Sequence, residues 1–192
     1  WLASNCPQGQ SAGDSNCRSG ASGNIPAYST IDIAITEVMA NALNEDEGEF
    51  VELYNYGTQA VDLKTFVLSD GDVIDTIFGF WDMDDTVLYP GEYAVILDYE
   101  YDFAADDYDL FSTSALWLVT DDTTVGNGLA TTDDIYLYEE NGLTLVSSYT
   151  HPVDPGNGVS RERSSATAND DANEWSASTC SMGSSPGVGN CP

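Results

Sequence analysis

The clearest signal along the chain is a period of two. Ile31, Ile33 and Ile35 alternate with Asp32, Ala34 and Thr36, which predicts a half-buried strand. An acidic loop at 41–48 follows, then FVELYNYG (50–57), a short turn, and VDLKTFVLSD (61–70) with Val61, Leu63, Phe66 and Leu68 inward. Asp70-Gly71-Asp72 is turn chemistry leading into DTIFGFW (75–81). Leu88-Tyr89-Pro90-Gly91 makes another turn before YAVILDYEY (93–101), the most strand-like run, and ALWLVTD (115–121) is the next strand. DIYLYEENGLTLVSSYTH (134–151) reads as a hairpin closed by Asn141-Gly142, a dipeptide favoured in two-residue primed turns. No segment keeps a 3.6-residue period. About eight short strands separated by turn signals predict an all-β sandwich.

The two ends differ from this middle. Residues 1–29 are small and polar, without periodicity, and read as an N-terminal arm; residues 30–192 make the sandwich and its tail. The last forty residues are rich in Ser, Asn, Gly and Pro, with Trp175 as the evident anchor. Four cysteines lie in these ends, Cys6 with Cys17 and Cys180 with Cys191. An even number at equal spacing in polar surroundings points to disulfides pinning both terminal segments and to an oxidising compartment. The simplest pairing is within each segment, though four cysteines allow three connectivities. A zinc site lacks CxxC or CxxH spacing, and the single His151 is remote.

Composition narrows the partners. The 192 residues hold 33 acidic groups against four basic ones (Arg18, Lys64, Arg161 and Arg163), a net charge of −29. Such a surface repels phosphate, which argues against nucleic acid and anionic lipid. No run of about 18 apolar residues occurs, so nothing is expected to insert in a membrane. No leader segment is visible at Trp1, so a secreted chain would here be in mature or excised form. The 42% apolar share supports a real core.

Catalytic patterns are absent. His151 is followed by Pro152, no GxSxG elbow occurs, and Gly158-Val159-Ser160 is broken by Arg161. With one histidine, imidazole-based metal hydrolysis is disfavoured. Abundant carboxylates make a paired-acid glycosidase signal uninformative. The expectation is a protein that is not an enzyme and requires no cofactor. Calcium is the cation its loops could hold: Asp82, Asp84 and Asp85 form one cluster and Asp102, Asp106, Asp107 and Asp109 a second, with Asp121 and Asp122 a smaller third. None is an EF-hand loop, since counting from Asp98 puts Phe103 at the required glycine.

Several segments together resemble the lamin-tail domain family, an immunoglobulin-like β-sandwich. They are ITEVMAN (35–41), FVELYN (50–55) with VDLK (61–64), FVLSD (66–70), the LYPGE turn (88–92) and DIYLY (134–138). The tail adds Gly158-Val159-Ser160-Arg161-Glu162-Arg163, then Trp175, then Pro186-Gly187-Val188-Gly189-Asn190, an order that resembles the secreted bacterial branch of the family. The resemblance spans roughly 31–190 and lacks the heptads of a coiled-coil rod. It implies a non-catalytic extracellular structural or interaction module: a subunit of a surface layer, sheath or filament, with protein partners and self-assembly. The alternative is an accessory domain that targets a secreted hydrolase to a polymer or carbohydrate. Within it, Glu52 and Asn55 are expected to hold loop backbone, Arg163 to clamp the fold through an internal ion pair, Trp175 to cover an end of the sandwich, and Pro186, Gly187 and Asn190 to shape the tail.

Overall fold

The computed structural model describes residues 27–28, 30–45, 47–80, 85–105 and 107–192. Cys6, Cys17, Arg18, Trp81, Asp82, Asp84 and Asp106 lie outside the described residues. In chain order the strands are β1 (Ala27–Tyr28), β2 (Ile33–Met39), β3 (Phe50–Asn55), β4 (Val61–Asp62), β5 (Phe66–Ser69), β6 (Ile74–Thr76) and β7 (Phe78–Gly79). They continue as β8 (Val87–Leu88), β9 (Tyr93–Leu97), β10 (Leu116–Val119), β11 (Ile135–Glu139), β12 (Thr144–Tyr149), β13 (Arg161–Arg163) and β14 (Trp175–Ala177). A five-stranded sheet runs β1-β12-β11-β5-β6 and a seven-stranded sheet β14-β13-β2-β3-β9-β10-β7; β4 and β8 make a short ladder of their own. The class is the expected one, an all-β sandwich with immunoglobulin-like character. No helix among the described residues is long and apolar enough to cross a membrane.

The main core lies between the sheets. Ile33, Ile35, Leu53 and Ile96 come from the larger sheet, Phe66, Leu68, Ile135 and Leu137 from the smaller, and all are essentially dry. Each such side chain contributes about 1.5–3 kcal/mol by leaving water. Several expected runs divide. Residues 61–70 break at a 3-10 turn, Leu63–Thr65, where Asp62 caps the Lys64 N–H. Residues 75–81 cross between sheets, with β6 in one, β7 in the other and buried Ile77 at the crossing. Among the described residues, Ala27–Tyr28 lie parallel to β12 within the segment the sequence assigns to the arm.

Strand β2 departs from expectation in a way that matters. Its alternation predicts one solvated face, yet all seven residues are buried. The outer face of the seven-stranded sheet has covers of its own. One is the crossover from β9 to β10, which are parallel and therefore need a long connection. It carries Tyr101, Phe103 and Leu110 onto Met39, Phe50, Val95, Leu97 and Val119 to make a second apolar cluster. The other is the C-terminal strap at 183–190, described below.

Candidate functional site

A β-bulge sets the site. Ile35 pairs with Leu53 and Glu37 with Glu52, leaving Thr36 as the extra residue on β2. The insertion shifts the alternation, so Glu37 joins Met39 on the outer face while Val38 takes the inner one. The Ile35 backbone beside the bulge is met by two side chains: its N–H donates to Ser147 Oγ (3.0 Å), and its carbonyl accepts from Arg163 Nη1 (3.2 Å).

Across β13, β2 and β3 this register lines up Glu162, Glu37 and Glu52 as cross-strand neighbours. All three are buried, Glu37 and Glu52 completely. Hydroxyls and backbone N–H groups of the strap, joined by the hydroxyls of Ser160 and Thr36, point at them. Ser160 Oγ donates to Glu37 Oε1 at 2.5 Å, Ser185 N to the same oxygen at 2.9 Å, and Ser185 Oγ to Glu37 Oε2 at 3.1 Å. Ser185 Oγ also lies 3.2 Å from Glu162 Oε1. Glu52 accepts from Thr36 Oγ1 (2.6 Å) and from Gly187 N (2.7 Å). Loss of water pushes Glu37 up to about 7, partly offset by these donors, with the Glu162 charge adding to the rise. Glu52 is raised as well, by burial first and then by Glu37.

The strap is closed by the Cys180–Cys191 disulfide, which spans 11 residues. Pro186 is buried, and Gly187 (φ +85°) packs so closely that a Cβ there would meet Thr113 Oγ1 at 2.8 Å. Asn190 Nδ2 donates to the Arg163 carbonyl (2.9 Å). Asn55 holds the opposite end of β3, with Nδ2 donating to the carbonyls of Gln59 and Leu88 and Oδ1 accepting from Gly57 N. Arg163 does clamp the fold, but the expected ion pair is not formed with any described carboxylate. Its guanidinium donates instead to the Ile35 and Ala168 carbonyls and to Ser147, and lies 5.6 Å from the Trp175 ring centroid. The bulge creates this demand, because it leaves a carbonyl facing the core. Trp175 sits in the main core, edge-on to Tyr149 at 4.7 Å.

A second set of carboxylates laces the loop at 121–130 from outside. Asp98 Oδ1 accepts from Val125 N, Asp75 from Gly126 N, Asp70 from Asn127 N and Glu49 from Leu129 N. Burial raises Glu49 to about 8 and Asp75 and Asp98 each to about 6. Sequence reasoning missed these residues, since each is one acid among 33. Most of the described candidate calcium ligands accept hydrogen bonds within the protein. Asp85 accepts from Val87 N, Asp102 from Ala104 N, and Asp109 from Ser112 Oγ, while Asp107 is exposed. Asp121 and Asp122 accept from Thr76 N and Thr124 N. Among the described residues no three His, Cys, Asp or Glu side chains are placed to hold a metal ion. His151 meets Asp134 through both its backbone N–H (2.9 Å) and Nδ1 (2.6 Å), which ties the base of the β11–β12 hairpin.

Between the two covers the outer face keeps an opening. A cavity of about 140 Å³ descends to Met39, Tyr101 and Tyr108. The two tyrosine rings stack at 5.7 Å, and the Tyr108 hydroxyl donates to the Gly48 carbonyl. At its mouth stand Leu43 and Met182, 78% and 54% exposed.

No relative is found among curated proteins. A family model for the Lamin Tail Domain matches residues 26–152, which takes in β1 to β12 and ends before β13 and the strap. The chain therefore belongs to the lamin-tail domain family, immunoglobulin-like modules that are generally non-enzymatic and oriented toward interactions.

Proposed function

We propose that this chain is a non-catalytic structural module of the cell exterior that docks onto protein partners, as a component of a surface layer, sheath or filament. The observation that carries the reading is the lipped cavity, where Leu43 and Met182 stay exposed around a concave aromatic floor. Grouped large apolar side chains on a charged surface are a feature of interaction sites. A second feature, on other residues, supports an open-ended assembly. Ile74 and Phe78, 62% and 48% exposed, stand on β6 and β7, the edge strands of the two sheets. Two unlike docking features on one subunit suit head-to-tail contacts, which build filaments unless they close into rings. The disulfide, the acidic surface and the tail motifs of the secreted bacterial branch support an extracellular setting.

The test is a photo-crosslinking side chain placed at Leu43 or Met182 in the producing cell. Adducts with an extracellular protein at these positions, and none at exposed Leu143, are expected; equal adducts at all three positions would overturn the reading. The alternative, an accessory domain for a polymer or carbohydrate, draws on Phe111 and Tyr99, each 57% exposed, with Phe111 edge-on to Trp117 at 5.2 Å. Retention on an insoluble polysaccharide, lost in Phe111→Ala, would favour that alternative.

A further inference from the structure

We propose that the cavity receives a lysine or arginine side chain from a basic protein partner; this rests on the docking reading above and names its ligand. The floor is Met39 and the stacked rings of Tyr101 and Tyr108. The rim carries Glu47, Asp102 and Asp107, and no Lys, Arg or His lines the cavity among the described residues. An aliphatic stem fits the floor and a cation fits the rim, the two-part character of a snorkelling basic side chain.

Size agrees with that occupant. At about 140 Å³ the cavity is well below the roughly 300–1,000 Å³ that holds a whole small molecule, and suits one inserted side chain. Neither half of the site suffices alone. An exposed ion pair contributes little in water, and an apolar plug would leave the rim carboxylates facing it without a counter-charge. A long-stemmed cation engages both.

Charge balance also identifies the bearer. With four basic residues against 33 acidic ones, this chain is a poor donor of such a side chain to another copy of itself. Among the described basic residues Arg163 is buried and Arg161 half-buried, which leaves Lys64 as a single exposed cation. A different, basic chain fits better, and the field of a −29 molecule would steer it inward.

The test is an NMR titration at about 0.15 M NaCl, where diffuse attraction is screened beyond about 8 Å. The probe is a capped Gly-Gly-Lys-Gly-Gly peptide, compared with its Nε-acetyl-lysine and norleucine counterparts. The lysine peptide is expected to shift Tyr101, Tyr108 and Met182 resonances and to bind about tenfold more tightly than either neutral peptide. Asp102→Asn with Asp107→Asn should weaken it several-fold, while Asp72→Asn with Glu140→Gln, equal in charge but away from the cavity, should not. Ala105→Trp, which fills the cavity without a change of charge, should abolish it at an unchanged melting temperature. Equal loss from both acid pairs, or binding that survives Ala105→Trp, would show surface attraction only and overturn the proposal. Equal binding of norleucine would overturn the cation while leaving a docking cavity. No binding of any peptide overturns the ligand assignment, whereas the crosslinking experiment judges the docking reading separately.

Discussion

A carboxylate moved out of water holds its proton more tightly, even where neutral donors offset part of the effect, and Glu37 and Glu52 are in that position. Glu49, Asp75 and Asp98 share the direction of shift. For each, the folded value lies above the unfolded one, so the native state binds more protons and stability falls as pH rises. The contribution is complete below about pH 4 and is lost as pH passes about 6 for Asp75 and Asp98, about 7 for Glu37 and about 8 for Glu49. The melting temperature should therefore decline from pH 5 to pH 9; a rise over that range would contradict the shifts. Glu37→Gln should gain on the parent at pH 8, by on the order of 2 kcal/mol, and show no gain at pH 5. Arg163 provides a second test at this scale. Lysine in its place keeps the charge but cannot reach the Ile35 carbonyl, Ser147 and the Ala168 carbonyl together. Arg163→Lys should cost about 2–3 kcal/mol in denaturant unfolding, and a cost near zero would show that the clamp is not needed.

At the scale of elements, the strap depends on its covalent closure. Replacing Cys180 and Cys191 by Ser removes a constraint worth about 2–4 kcal/mol. Hydrogen exchange at Ser185 and Gly187, whose N–H groups donate to Glu37 and Glu52, should then accelerate more than exchange in β11. Equal protection in the two places would mean that side-chain packing alone holds the strap. The same elements show where sequence legibility ends. Strands with an alternating face, such as β2 and the β11–β12 hairpin, are visible because one face must be apolar, and β9 because its apolar run is continuous. β13 and β14 are hidden, since Arg161-Glu162-Arg163 and Trp175-Ser176-Ala177 carry polar residues into buried or edge positions. The outer cover is hidden for a related reason. One inserted residue, Thr36, reverses the facing of Glu37, and no local pattern announces a bulge. Glu52, Arg163 and the tail motif were legible by family resemblance, whereas Glu37 and Glu162 needed the strand register.

At the scale of the molecule, a net charge of −29 opposes compaction. Raising NaCl from about 0.01 to 0.5 M shortens the screening length from about 30 Å to a few ångströms. Melting should rise by roughly 4–8 °C, equivalent to about 2 kcal/mol for a chain of this size. A flat response would indicate that the charges are already neutralised within the fold. One consequence of the laced loop concerns variation. Asp98, Asp75, Asp70 and Glu49 hold residues 125–129 by their amide hydrogens, so the loop's shape does not rest on every one of its own side chains. Gly126 and Gly128 are exceptions, with φ of +64° and +91°, and the approach of Asp70 leaves no room for a Cβ on Gly126; Asp122 and Thr124 are others, bonded within the loop, as are Val125 and Leu129, buried in the core. Thr123 and Asn127, both exposed, are therefore the positions where new side chains can be placed while the scaffold stays as it is, a natural place for diversity among related modules and for engineered display.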